Sequence, residues 1–160
     1  MHLRLEMLPE KYLLGKSLQM TFEENKTQEL WRSFLPLRPE IKNKANADLY
    51  AVEEFEPDFF YRFNPHQLFT RWAAQEVTSW EIIPAGLETL VIPAGLYAVF
   101  LHRGPASSGA ATYAYIFNQW LPHAPYNLDQ RPHLAIMGEK YKNEDSDSEE
   151  EIWIPVKPKF

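Results

Sequence analysis

The chain runs through one series of landmarks twice, and this limits most what it can fold into. Leu8-Pro9 opens the first series and Leu35-Pro36 closes its amphipathic segment; Ile92-Pro93 opens the second and Leu121-Pro122 closes its own. Pro36 to Glu53 and Pro122 to Glu139 span the same 17 positions (53 − 36 and 139 − 122). Glu53-Glu54-Phe55 then matches Glu139-Lys140-Tyr141 as Glu-x-aromatic, and each series reaches a strand with a tryptophan, Trp72 or Trp153. Duplicated halves tend to pack about a pseudo-twofold axis, and the cleft between them is a natural ligand position.

The local patterns agree with a repeat of strand, helix, strand, strand. Met1 to Leu8 alternates weakly, as an edge strand does, and Tyr12 to Phe22 reads as a strand with Gly15 at a bulge. Thr27 to Leu35 puts Leu30, Trp31, Phe34 and Leu35 on one helical face, and Pro36 and Pro39 stop it. Asp48–Phe55 and Phe69–Val77 follow as strands. In the second half a turn precedes the strand Leu87–Ile92, and Gly95–His102 reads as a strong strand. The helix Ala110–Leu121 carries Tyr113, Ile116, Phe117, Trp120 and Leu121 on one face. Pro122 and Pro125 end it, and His133–Tyr141 and Glu151–Lys157 complete the half around a polar hairpin from Asn143 to Glu150. The expected fold is α+β: two pseudo-symmetric β-α-β-β units forming an antiparallel sheet, with two helices around a central pocket, in one domain over 1–160.

Composition narrows the function. A hydrophobic fraction of 45% supplies a core, and 14% aromatic residues suit a pocket for flat ligands as well. A net charge of −6 argues against direct nucleic-acid binding, which needs a basic surface. The absence of cysteine rules out disulfides, thiolate metal sites and a cysteine nucleophile. The five histidines, His2, His66, His102, His123 and His133, have no metal-ligand spacing and read as surface or satisfied residues. Ser107-Ser108-Gly109 is a turn without the Gly-x-Ser-x-Gly context of a hydrolase, and no phosphate-binding glycine motif is present. No secretory signal or membrane span is read, and a cytoplasmic location is expected. No cofactor and no metal are expected.

Several segments resemble the GyrI-like family, the effector-binding domain of multidrug-sensing regulators of the AraC and MerR types, which also occurs alone. They are Glu29-Leu30-Trp31-Arg32-Ser33-Phe34, Leu49-Tyr50-Ala51-Val52, Ile92-Pro93-Ala94-Gly95-Leu96-Tyr97-Ala98-Val99-Phe100 and His102-Arg103-Gly104. Tyr113 through Trp120-Leu121-Pro122, Glu139-Lys140-Tyr141 and Glu151-Ile152-Trp153-Ile154-Pro155-Val156-Lys157 continue the match over nearly the whole chain. The resemblance implies a pocket between sheet and helices for lipophilic, often cationic, aromatic compounds, with Glu139 at the family's central acid. Gly138 departs from the bulkier residue expected before that acid, and no helix-turn-helix is seen outside the domain, so a regulator role is not implied.

The site is therefore expected around Glu139. From local sequence a strand-edge glutamate facing water is the simpler reading, because burying a lone carboxylate is costly; the family position moves it into the pocket. Strand alternation places Met137 and Tyr141 beside Glu139, and Glu151 beside Trp153 on the neighbouring strand. Tyr50, Trp72, Tyr113, Tyr115 and Trp120 are the candidate walls, Phe117 and Trp31 read as core, and Tyr97 is open. Three functions follow. The first is a binding module for an aromatic, cationic small molecule, for sensing or sequestration. The second, implied by the resemblance, is a hydrolase of cyclopropanoid electrophiles, with Glu139 catalytic and an aromatic positioning the ring. The third is a protein-interaction role such as gyrase inhibition, through the acidic run Glu144 to Glu151.

Overall fold

The computed structural model describes residues 3–60, 64–105, 108–142 and 144–160; His2, Ser107 and Asn143 of the readings above lie outside them. The strands are β1 (Leu3–Leu8), β2 (Lys11–Met20), β3 (Leu49–Glu54), β4 (Phe69–Val77), β5 (Glu88–Ile92), β6 (Gly95–Arg103), β7 (Tyr126–Leu128), β8 (His133–Met137) and β9 (Glu149–Pro158). The α-helices are α1 (Thr27–Phe34) and α2 (Gly109–Tyr115). Prolines act where chemistry predicts: Pro36 and Pro39 hold Leu35–Glu40 in a 3₁₀ turn after α1, and Pro122 sits in another, Leu121–His123. Between α2 and that turn, Ile116–Trp120 widens into a π-helical turn.

The nine strands form one antiparallel sheet in the order β1-β6-β9-β8-β3-β4-β2-β5, with β7 on the far part of β9. The order shows the duplication directly. One half supplies β3-β4-β2, the other β8-β9-β6, and the halves join where β3 pairs β8. The strand that precedes each half pairs with the other half: β1 pairs β6 and β5 pairs β2. Pro9-Glu10 and Pro93-Ala94 make these crossings between opposite ends of the strand order, so the sheet must curl until its edges approach.

Strand alternation gives the sheet two apolar faces. On one, Leu30 and Phe34 of α1 pack on Leu14, Met20, Phe69, Ala73 and Val77, and Ile116 packs on Ala98, Phe100, Ile152, Ile154 and Val156. No helix residue belongs to the cluster on the other face. There Leu8, Leu13, Tyr50, Val52, Trp72, Ile92, Tyr97, Val99, Leu134 and Trp153 bury one another. Both edges and the centre of the sheet meet in this cluster, as the curl requires. Among the described residues no helix is long and apolar enough to cross a membrane.

Three sequence expectations change. The helix read over Ala110–Leu121 is α-helical only as far as Tyr115 and continues as the π-helical turn. The strand read over His133–Tyr141 ends at Met137, and Glu139 and Lys140 form a turn. Gly15 is not at a bulge; it stays in register with Ala74 on one side and Glu88 on the other.

Candidate functional site

A cavity of about 830 Å³ lies on the helix-bearing face, over the seam between the halves. Its floor is polar and comes from three strands: Glu53 of β3, Arg71 of β4 and His133 of β8. Glu53 and His133 are direct cross-strand partners, and so are Glu53 and Arg71, so the ladder itself gathers the three. One wall is α2, its π-helical continuation and the 3₁₀ turn beyond, through Tyr113, Ala114, Phe117, Asn118 and Leu121. The other is phenylalanine, with Phe22, Phe55 and Phe60. Tyr126, Asn127, Leu128 and Lys159 form part of the rim.

The floor is paired rather than bare. Arg71 Nη2 donates to Glu53 Oε2 at 3.0 Å, with both side chains largely buried. Its Nη1 donates to Thr27 Oγ1, and its guanidinium lies 5.1 Å from the Phe69 ring centre. Phe60 stacks on Phe117 with centroids 4.9 Å apart and planes 8° apart, and on His133 at 5.5 Å and 20°. Phe55 meets the imidazole edge-on at 5.0 Å. The cavity thus has flat apolar walls over an internally neutralised ion pair. Burial, and then the charge of Glu53, push the Tyr113 phenol well above its usual range.

Burial also holds His133 down to about 4, against the opposing pull of Glu53, so the imidazole is neutral at pH 7. The unfolded chain has an ordinary histidine near 6.5 and binds the proton first as pH falls. Stability from keeping His133 neutral is therefore complete above about pH 6.5 and is lost on the way down to pH 4, amounting to about 3 kcal/mol. His133→Phe is expected to keep the stacking and flatten this part of the stability–pH curve, as urea unfolding between pH 4 and 7 would show. An unchanged slope would mean that other groups carry it.

Of the expected site residues, only Tyr113 lines this cavity. Glu139 is exposed on the turn after β8, because that strand stops two residues before it. The equal proline-to-glutamate spacing therefore matches a strand residue, Glu53, with a turn residue. Gly138 has its own reason: a Cβ there would lie 3.1 Å from the Asp48 carboxylate. Met137 and Tyr141 are half-buried but do not line the cavity, and Tyr115 is exposed. Trp120 packs edge-on against Phe100 at 5.1 Å.

Tyr50, Trp72, Glu151 and Trp153 do share a face, but it is the self-buried one. Trp72 donates to Glu54 at 2.6 Å, Trp153 to Glu151 at 3.2 Å and Tyr50 to Glu76 at 2.9 Å. Arg4 binds Glu151 at 2.8 Å. Their polar ends are thus held within the fold. Glu53, Arg71, Phe22, Phe55 and Phe60 line the cavity without having been singled out for it from sequence, and Phe117 and His133, read there as core and as a surface or satisfied histidine, line it too. The aromatic density of Phe55-Glu56-Pro57-Asp58-Phe59-Phe60 is a sequence signal that could have found Phe55 and Phe60; none marks Arg71 or His133. Among the described residues no group of three or more His, Asp or Glu is placed to hold a metal.

Residues 1–157 match the GyrI-like small molecule binding domain. The chain belongs to this family. It is 22% identical over 158 residues to the transcriptional regulator BrlR of Pseudomonas aeruginosa strain PAO1. That match covers 98% of this chain and 56% of the regulator, so the chain spans little more than half of its relative's length. Among solved structures, SAV2435 bound to tetraphenylphosphonium superposes with a TM-score of 0.71 at 16% identity, covering 98% of this chain and 94% of that one. EcmrR, in its DNA complex, gives 0.73 at 17% identity over 98% of this chain and 57% of its own. At such identities the likeness is one of fold: a GyrI-like domain of two β-α-β-β halves.

Proposed function

We propose that this GyrI-like chain binds lipophilic aromatic small molecules in the cavity over the β3–β8 seam, for sensing or sequestration. The observation that carries the reading is a cavity of about 830 Å³ with phenylalanine walls and a few polar groups gathered on its floor, the usual make-up of a small-molecule site. The tetraphenylphosphonium held by SAV2435, an aromatic cation, supports the ligand class. The counter-ion role expected of Glu139 passes to Glu53. Because Arg71 already balances Glu53, a cation gains from sharing that carboxylate and from the aromatic faces, while a neutral aromatic gains from the walls alone. A chain without cysteine suits a reducing compartment, and the cytoplasm is the proposed location.

Titration of the protein with tetraphenylphosphonium and with neutral triphenylphosphine oxide tests this. Phe117→Ala, which removes one wall, is expected to weaken both about tenfold, equivalent to about 1.4 kcal/mol. Glu53→Gln should weaken the cation and leave the neutral compound nearly unchanged. Loss of cation binding in Glu139→Gln but not in Glu53→Gln would overturn the assignment.

A further inference from the structure

The strand β1 is an edge of the sheet, paired only to β6 among the described residues. Its helix-side positions are Leu3, Leu5 and Met7, with exposures of 38%, 42% and 70%. Three large apolar side chains in a row on an open edge are a template for another strand. The opposite edge differs: β5 presents Glu88 and Thr89, and Glu88 is bound to Ser17. On its other face β1 carries Arg4 and Glu6, opposite charges flanking Leu5.

We propose that β1 is a self-complementary edge through which two copies of this chain pair antiparallel, about a twofold axis at Leu5. In that register Leu3 of one copy faces Met7 of the other, Leu5 faces Leu5, and Arg4 faces Glu6 twice. A twofold normal to the sheet keeps each face on its own side, so other registers are displaced by two residues. Such a slip sets Arg4 against Arg4 or Glu6 against Glu6, which is destabilising. The charges therefore select one register out of those the apolar row allows. Arg4 binds Glu151 through Nη2 and Glu6 through Nε, with both ends of the Arg4–Glu6 pair partly exposed. It can keep Glu151 while Glu6 of the second copy replaces its own. The cavity over β3 and β8 is separated from β1 by β6 and β9, so each copy keeps its site.

Sedimentation equilibrium of the full chain over a rising concentration series is the test. The wild-type protein should show a monomer–dimer equilibrium. Leu5→Lys and Leu5→Glu, each at a half-exposed position, should raise the dimer dissociation constant about tenfold or more with unchanged circular dichroism and melting temperature. Mixing the two variants should restore a one-to-one dimer, because the introduced lysine then faces the introduced glutamate. A wild-type protein that stays monomeric, dimers that persist in both variants, or a mixture that stays monomeric beside a dimeric wild type would each overturn the proposal.

Discussion

Gly15→Ala should destabilise this protein by about 3 kcal/mol, at the upper end of what an overpacked core site costs. A Cβ at Gly15 would lie 2.2 Å from the Ala73 carbonyl oxygen and 2.8 Å from the Ala74 Cα. Both are backbone atoms of the neighbouring strand, so no side-chain rotation relieves the clash. Ala73 and Ala74, weak strand formers read from sequence alone, thus have a purpose: small residues opposite Gly15 let β2 approach β4 closely. For a domain of this size the loss corresponds to a fall in melting temperature of about 6–12 °C. Gly109→Ala is the control. Nothing lies within 4 Å of its added methyl group, and alanine favours the helix that begins there. If both variants melt like the wild type, the close approach of β2 and β4 is wrong.

Arg71→Ala should cost about 3 kcal/mol by a different route, since it leaves the Glu53 carboxylate buried without its partner. It also removes the bond to Thr27 at the start of α1, loosening a helix from the sheet as well as opening the cavity floor. Arg71→Lys keeps the charge but cannot serve two directions with one planar group, so it should recover only part of the loss. The double variant Glu53→Gln with Arg71→Met should be less destabilised than its two single changes added together, because each single change leaves a lone buried charge and the double variant leaves none. Urea unfolding of the set gives this coupling as a double-mutant cycle. Strict additivity would mean that the pair does not act as a unit.

Much of the fold was legible in residue patterns because its determinants are local. The prolines mark where both helical segments stop, and an apolar stripe marks the second of them, α2 with its π-helical continuation. The paired landmarks Leu8-Pro9 and Ile92-Pro93 mark where each half begins. The site was less legible, for two reasons. The end of β8 depends on pairing with β3 and β9, not on its own residues, so a strand read through to Tyr141, together with the family position of the glutamate, put Glu139 on a strand that stops at Met137. The choice of face was also hidden. Tyr50, Trp72 and Trp153 have the aromatic character of a pocket wall, yet the curl of the sheet turns them onto one another.

The duplication is encoded in the order of landmarks, and with it the β-α-β-β halves and the expectation of a cleft between them. Sequence by itself determined that much because turns, caps and amphipathic stripes act over a few residues. Tertiary structure alone decided which glutamate faces the cavity. The cross-strand register sets Glu53 between His133 and Arg71, residues that lie 80 and 18 positions away in the chain (133 − 53 and 71 − 53). No local pattern carries these contacts: the one to Arg71 needs β3 paired with β4, and the one to His133 needs the β3–β8 ladder, which forms only when the two halves meet.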